Sequence, residues 1–510
     1  MLLVCTISLL LIVSLLYYYF TRTLNYWKNK NVAGPTPLPF FGNLKESTLR
    51  RAHIASVMKD IYKQFPKEKV VGIYRMTTPC LLLRDLDVIK NVFIKDFDIF
   101  VDRGIEFSKD GLGANLFHTD GDTWRALRNR FSPIFTTSKL KNMTYLLTER
   151  ADKFLKHVST ICEGQNEQEV YSLMQQYTMA AIAACGFGLD VDNFSNEMRD
   201  LLRKIDKLIF DLNYAHEFDM MFPGVLKKLN KSLFPAEASN FFFNLVRTVI
   251  SQRDGRPSGR KDFMDLILEM RQEGNIHSAQ KDETSEKITV ELTEGIIAAQ
   301  AFSFYAAGYE TSAGGLGFLL YELAINPTIQ DKVIFEIDTI LQKHNGELTY
   351  DVINEMTYLE KVFDETLRMY PVVDPLQRKA KVDYKVPDTD ITIKKGQTWT
   401  AFVGQTLIPL LAIHYDKRYY PNPEKFDPER FSAQMIRDRH PCAYMPFGAG
   451  PRNCVGLRLA KVQSRICIIK LLSKFRVEPS SKTVKTMEFD PKRYLLGPKG
   501  GIHLNIIKRK

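Results

Sequence analysis

The longest apolar run in the chain is its first one. No charged side chain occurs from Met1 to Thr21, and Leu2 to Phe20 is close to the roughly 20 residues that a helix needs to cross a bilayer. The pattern predicts a membrane anchor over residues 1–21. Arg22 is the first charge, and Trp27, Lys28 and Lys30 add an interfacial aromatic and a basic flank of the kind that stays on the cytosolic side. The run lacks a basic leading segment and a small-x-small cleavage site, so it reads as retained rather than as a cleaved signal. Prolines 35, 37 and 39 then interrupt the pattern between Gly34 and Gly42 and predict a stiff hinge. This divides the chain into an anchor (1–21), a basic stop and hinge (22–43) and a body (44–510), with no second span after residue 31.

Within the body the pattern is mainly helical. Thr123 to Phe131 places Trp124 and Arg128 four residues apart, on one face of a helix, where an indole N–H and a guanidinium can both meet one anion. A second helix is expected from about Glu291 to Ile325, ending before Pro327 and apolar around most of its circumference, as a helix through the core should be. Its centre, Ala306-Ala307-Gly308-Tyr309-Glu310-Thr311-Ser312, carries small residues, an acid and a hydroxyl. Glycine costs about 1 kcal/mol relative to alanine there, and a buried carboxylate needs partners, so function is a reason for their presence. A third helix has apolar residues at 359, 362, 363, 366, 367 and 370, the amphipathic series, and stops at Pro371. Glu365 and Arg368 sit three apart on it and can pair. Apolar residues at 459, 462, 466 and 469 predict a fourth.

Composition narrows the function. The chain has 510 residues and a formal charge of +11, but its basic residues are interleaved with acidic ones and form no stripe, which argues against nucleic acid. The excess suits an acidic redox partner, with Arg125 and Arg130 as candidates to face it, or an anionic membrane surface, and a merely solvated surface accounts for it equally. Seven scattered cysteines without a Cys-x-x-Cys pair argue against a disulfide scaffold or a zinc site. Neither an intact Gly-x-Gly-x-x-Gly nor a Gly-Lys-Ser/Thr occurs, so no nucleotide site is expected in this chain.

Candidate chemistry concentrates at Phe447-Gly448-Ala449-Gly450-Pro451-Arg452-Asn453-Cys454-Val455-Gly456. A cysteine ligates metal as thiolate, whose charge needs amides, an arginine or a helix N-terminus close by. The three glycines let the backbone bend and approach a flat cofactor. Phe447 can shield the sulfur, and Arg452 can pair with a carboxylate. A buried cysteine in a glycine-rich turn would explain Cys454 alone, but not the co-spaced residues around it.

The pattern Phe-x-x-Gly-x-Arg-x-Cys-x-Gly resembles the haem-binding signature of the cytochrome P450 superfamily at every fixed position. Ala307-Gly308-Tyr309-Glu310-Thr311-Ser312 resembles the family's oxygen-activation motif, and Trp124 with Arg128 its Trp-x-x-x-Arg element. Glu365, Arg368 and Arg430 resemble its structural Glu–Arg–Arg triad, and Arg378 a further propionate-binding arginine. Phe-Phe-Gly-Asn near residue 40 and Pro-Lys-Gly-Gly-Ile near the end look most like insect microsomal enzymes of the sixth family. The resemblance implies a mainly α fold with small β-sheets (α+β), a single catalytic domain behind the anchor. It implies haem b (iron protoporphyrin IX) with Cys454 as axial ligand, and Trp124, Arg128, Arg378, Phe447, Arg452, Gly456, Ala307 and Gly308 around it. Ala307 and Gly308 would leave room for dioxygen, Thr311 would serve it with a hydroxyl, and Glu310 would relay protons.

The implied activity is monooxygenation of lipophilic small molecules, such as xenobiotics, plant toxins or insecticides. Electrons would come from NADPH through NADPH–cytochrome P450 reductase, with cytochrome b5 as a further candidate partner. The implied address is the endoplasmic reticulum membrane, with the catalytic domain in the cytosol. Candidate pocket walls are Phe117, His118, Phe302, Ala306, Val372, Val373 and Leu495, each of which also suits plain core packing. His118 raises the rival of histidine ligation, though no histidine sits in a loop like that of Cys454. A haem-thiolate isomerase or lyase without a reductase, and a non-catalytic haem or lipophile carrier, are the competing functions. Retention of Glu310 and Thr311 argues against the isomerase.

One stretch departs from the family pattern. Gly-Gln-Thr occurs at 396–398 and again at 404–406, as if eight residues were added. Trp399, Phe402 and Val403 are compatible with an enlarged hairpin; a gene-model or splice artefact is the other explanation.

Overall fold

The computed structural model describes residues 1–509 apart from 105–110, 191–203, several positions between 213 and 233, 273, 275, 278–288 and 396–404. The chain opens with α1 (Leu2–Thr21), whose side chains are exposed almost throughout, Phe20 being the buried exception. Among the described residues it is the one helix long and apolar enough to cross a membrane. A small sheet follows, with β1 (Val70–Arg75) antiparallel to β2 (Thr78–Leu83). Next come α2 (Gly121–Phe131), α3 (Thr137–Gly164), β3 (Glu167–Glu169), α4 (Val170–Phe187) and α5 (Ala236–Gln252). The longest helix, α6 (Glu294–Ile325), runs through the centre, and α7 (Thr357–Met369) leads to β4 (Leu376–Lys379) and β5 (Gln405–Ile408). The chain closes with α8 (Leu457–Leu472), β6 (Phe475–Pro479) and β7 (His503–Lys508). The strands form one sheet of order β1-β2-β5-β4 and another of order β6-β7-β3. The fold is thus mainly α with small sheets, as expected.

The expected helices form with small shifts of boundary. Thr293 caps α6, its Oγ1 accepting from the Ile296 N–H at 3.3 Å, so the helix starts three residues later than the apolar pattern alone predicts. It ends at Asn326, where Pro327 opens the next helix. On α7 Leu359, Val362, Phe363 and Leu367 are all buried as predicted, whereas position 366 is a threonine, buried with its hydroxyl donating to the Val362 carbonyl at 2.9 Å.

One expectation about the entry to the body is corrected. Trp27 is not an interfacial aromatic but a buried staple. Its indole Nε1 donates to the Ile73 carbonyl at 3.0 Å, and its ring lies so close to Gly72 that a Cβ there would be 2.5 Å from it. The proline segment is fastened to the first sheet. Gly34 faces the Gly72 carbonyl, and Asn43 exchanges bonds with Tyr74 while its Nδ2 donates to Pro35. The basic flank of Arg22, Lys28 and Lys30 remains exposed.

In the suspected insertion, the first Gly-Gln-Thr together with Trp399, Phe402 and Val403 lies outside the described residues. Gln405 and Thr406 of the second copy open β5, which runs parallel to β2 and antiparallel to β4.

Candidate active site

The Cys454 loop is shaped before it meets anything else. Gly448 and Gly450 adopt φ of 73° and 71°, the left-handed region that glycine enters without strain. At Gly450 a side chain is also excluded by space, since a Cβ would lie 1.9 Å from the Phe93 carbonyl oxygen. Gly456 differs from the expectation, because its φ of −89° suits any residue. The turn is closed by the Cys454 N–H donating to the Phe447 carbonyl at 2.8 Å, after which Gly456 leads into α8. Burial pushes the Cys454 thiol up, opposed by the Gly456 N–H and the charges of Arg128 and Arg103. Donors and cations that stabilise a thiolate therefore surround the sulfur.

Cys454 lines a cavity of about 690 Å³ whose walls include every pocket residue expected from sequence: Phe117, His118, Phe302, Ala306, Val372, Val373 and Leu495. Phe447, Trp124, Ala307, Gly308 and Thr311 face the same space. So do Arg103, Arg128, Arg378 and Arg452, among other arginines. Arg452 is buried with its guanidinium 4.9 Å from the Trp124 ring, and donates to the carbonyls of Val101, Thr119 and Phe117. Arg128 is bidentate on Asn453, at 2.9 Å to the carbonyl and 2.7 Å to Oδ1, so it braces the cysteine loop as well as facing the cavity. Arg378 lies 4.4 Å over the Phe93 ring.

Arg452 has one carboxylate, Asp120, at 3.6 Å, and among the described residues Arg103, Arg128 and Arg378 have no ion pair. Burial and the neighbouring Arg452 push Arg378 down to about 9, burial brings Arg452 to about 10, and burial with the other arginines lowers Arg103 strongly. The Nε atoms of Arg103, Arg378 and Arg452 are buried and donate to nothing among the described residues. Such a cluster calls for an anion with several acceptor oxygens. A porphyrin with two carboxylates beside a cysteine ligand fits it.

Behind the loop the expected triad is assembled. Arg368 makes a two-pronged pair with Glu365 at 2.7 and 2.9 Å, both side chains fully buried, and donates to the carbonyls of His414 and Pro423 at 2.8 Å. Arg430 reaches Glu365 Oε1 at 3.3 Å, and the Asp427 N–H donates to the same oxygen at 2.9 Å. The carboxylate on α7 therefore fixes the 422–430 segment that precedes the cysteine loop.

On α6 the exposed face is informative. In a helix buried almost all round, Ala307 is exposed, and Ala306, Gly308 and Thr311 are half-buried, because they face the cavity. The Thr311 hydroxyl donates to the Ala307 carbonyl. Gly308 also serves packing, since a Cβ there would meet Ile182 Cδ1 at 2.4 Å, so that it allows α4 and α6 to approach closely. Glu310 departs in placement. It points away from the cavity, with Oε1 accepting from Tyr171 Oη at 2.9 Å and from Arg493, and Oε2 from Gln175 Nε2 at 2.8 Å.

Arg125 and Arg130, considered as contacts for a partner, are engaged within the chain. Arg125 pairs with Asp98 at 2.6 Å, and Arg130 Nη2 donates to the Met270 carbonyl at 3.1 Å.

Sequence reasoning missed Arg103, Phe234 and Arg493. Arg103 carries no motif, and its guanidinium lies 4.4 Å from the Phe117 ring, a contact made only by folding. Phe234 packs on Phe302 with ring centroids 4.7 Å apart and faces the cavity from a stretch that no periodicity distinguishes. Arg493, in Pro-Lys-Arg, reads as an ordinary surface charge.

The comparisons agree with this geometry. The cytochrome P450 family profile matches residues 32–505. Cytochrome P450 6B2 of Helicoverpa armigera is 56% identical over 495 residues, covering 97% of this chain and 96% of that protein. Cytochrome P450 6B1 of Papilio polyxenes is 57% identical over 495 residues, covering 97% of each. Cytochrome P450 6a2 of Drosophila melanogaster is 36% identical over 510 residues, covering 98% of each. With a cysteine loop, a cationic cradle and a hydroxyl-bearing core helix around one cavity, the chain belongs to the cytochrome P450 family, among the family-six enzymes of insects, and is a haem-thiolate monooxygenase that uses NADPH and dioxygen.

Proposed function

We propose that the cavity holds haem b with Cys454 as its axial ligand, and that it oxidises flat lipophilic molecules held between the aromatic wall and α6. The single observation that carries this is the grouping of Cys454, Thr311 and the arginines 103, 378 and 452 with their unspent Nε donors around one cavity. Trp124, Arg103, Arg128, Arg378 and Arg452 would hold the propionates, while Phe447, Ala307, Gly308 and Gly456 would border the ring. When bound, the haem supplies activation of dioxygen with electrons delivered from NADPH.

The chain supplies the rest. Phe117, Phe302, Val372, Val373 and Leu495 present apolar surface that expels water and orients a lipophile. Thr311 Oγ1 holds a proton on the cavity side of α6, and its present partner, the Ala307 carbonyl, is one helical turn away. Glu310, the preceding residue, accepts protons from the polar side of the helix and returns them towards Thr311. Burying the Glu365–Arg368–Arg430 triad fixes the approach to Cys454, so the sulfur is presented in one geometry.

The same reading divides the chain into anchor 1–21, basic stop and proline strap 22–43, and catalytic domain 44–510. Residues 1–21 would hold the protein in the endoplasmic reticulum membrane with the body in the cytosol. NADPH–cytochrome P450 reductase, assisted by cytochrome b5, would deliver the electrons.

The reduced, CO-bound spectrum tests the ligand. The red-shifted Soret band of thiolate ligation is expected, and Cys454→Ser should abolish it; its persistence in the variant would refute the assignment. Thr311→Ala should keep the band and divert NADPH electrons from product to peroxide.

A further inference from the structure

The loop that carries Phe117 and His118 is held by two fully buried amide side chains, Gln300 and Asn115. Gln300 Oε1 accepts from the Leu116 N–H at 3.0 Å and its Nε2 donates to the Ala114 carbonyl at 3.0 Å, so one side chain of α6 pairs with the loop backbone much as a neighbouring strand would. Asn115, between those two residues, folds the loop on itself. Its Nδ2 donates to the Leu112 carbonyl at 2.6 Å, and its Oδ1 accepts from the Phe117 N–H at 2.8 Å and the His118 N–H at 3.1 Å. His118 Nδ1 lies 3.0 Å from the same oxygen, which offers only lone pairs, so Nδ1 carries the ring proton. Backbone and ring of His118 are thus set by one acceptor.

The place of Gln300 on α6 decides what these bonds accomplish. Ala307 and Thr311 follow it at i+7 and i+11, the spacing of one helix face, and Ala307 stands about 10 Å further along that face. The far end of the loop is tied to the cysteine side, where Arg452 donates to the Phe117 carbonyl at 3.1 Å and to the Thr119 carbonyl at 2.6 Å. Between these ties the rings of Phe117 and His118 meet at 5.0 Å and 72°, and His118 reaches Phe234 in the roof of the cavity at 5.4 Å. Burying an amide is unfavourable unless both its ends are bonded, and an apolar side chain would pack on this helix without that condition.

We propose that Gln300 is a positioning residue for substrate selection: it registers the Phe117–His118 wall on the face of α6 that carries Ala307 and Thr311, and so sets the gap that a substrate must fill. The class selected is planar aromatic molecules thin enough to lie between wall and helix. Asn115 keeps the loop stiff, so that the register fixed at Leu116 is passed to the two rings that follow. The proposal rests on the reading of the cavity as a haem site with an aromatic substrate wall.

The test uses the full-length haem-loaded enzyme, at equal thiolate-haem content by the CO spectrum, titrated with two probes and read by the spectral shift on binding. Imidazole reaches the iron without needing the wall, and 1-phenylimidazole adds a ring that needs it. Gln300→Leu should weaken 1-phenylimidazole by about fivefold, the scale of one aromatic contact, and leave imidazole within about twofold. In a Phe117→Ala/His118→Ala background the same substitution should leave the ratio of the two affinities unchanged, because no wall remains to be registered. An equal loss in both backgrounds, or a loss of imidazole as large as that of 1-phenylimidazole, is what a merely structural glutamine would give, and either result would overturn the proposal. Where Gln300→Leu takes up no haem, Gln300→Glu replaces it; the carboxylate keeps an acceptor for the Leu116 N–H, loses the donor to Ala114 and should show the same selective loss. If Phe117→Ala/His118→Ala leaves 1-phenylimidazole binding unchanged, the aromatic wall falls and the proposal with it. If that pair weakens binding but the Gln300 variants do not, the proposal alone falls.

Discussion

The two sides of the cavity are built by different physics. On the cysteine side, charged groups are held chiefly by backbone carbonyls. Arg368 reaches the carbonyls of His414 and Pro423, Arg452 those of Val101, Phe117 and Thr119, and Arg128 that of Asn453. Hydrogen bonds of fixed length and direction locate atoms, and a metal ligand needs location. On the roof side the contacts are rings against rings, as with Phe234, Phe242 and Phe302, and a shared ion pair at Arg493. Apolar contacts set volume without fixing direction, and a partner that is shared can be exchanged. A rigid half for the cofactor and an adjustable half for the substrate follow from that difference.

The contrast is most open to attack at Arg368. Arg368→Ala leaves Glu365 charged and buried, which should cost about 3–5 kcal/mol and strip the haem; denaturant unfolding and haem content per chain report it. Retention of both would mean that the cysteine side is not braced as described. A smaller loss, about 1–3 kcal/mol, is expected for Gly450→Ala, because the new Cβ meets the Phe93 carbonyl in a left-handed conformation. Thermal unfolding of the haem-loaded variant measures it, and Gly456→Ala, with its ordinary φ, should show almost none of it.

Acid sharpens the same comparison. Burial, reinforced by the Arg368 charge, pushes His414 down to about 3 from an ordinary 6.5. The unfolded chain takes up that proton first as pH falls below 6.5, so the histidine's contribution to stability is full above 6.5 and is lost towards 3. It should add about 1.4 kcal/mol per pH unit to the slope of stability in that window. His414→Gln should remove that increment in unfolding curves measured between pH ~6.5 and ~5, while a slope unchanged by the substitution would place the titrating group elsewhere. The least effect on stability belongs to the substrate side. Phe117 is 41% exposed, so Phe117→Ala should alter stability by about 0.5 kcal/mol or less. It should nevertheless weaken an aromatic ligand by about 0.5–1.5 kcal/mol of ring contact, read from the spectral shift on binding.

What could be read in the chain follows the same division. Cys454, the Glu365–Arg368 pair and Trp124 with Arg128 were legible because fixed chemistry demands fixed residue types at fixed helical or turn spacings. Thr293 as a cap, the burial of Gly308 against Ile182 and the seating of Trp27 on Gly72 were not, since each depends on which element arrives opposite. The pocket residues named from sequence all reached the cavity, yet Phe234 and Arg103 joined them without any local signal. Glu310 shows the limit most plainly: the motif located the acid, but its direction was set by Tyr171, Gln175 and Arg493, which are 139, 135 and 183 residues away in the chain.

The amino-acid sequence by itself therefore determined the apolar first helix, the helical body, the cysteine loop and its brace, because periodicity, charge spacing and backbone freedom are local properties. Only the tertiary structure decided which arginines surround the cavity, which aromatic rings wall it and which cation holds Glu310. Those depend on side chains far apart in sequence meeting in space, where burial removes the water that would otherwise have made each of them an unremarkable polar or apolar residue.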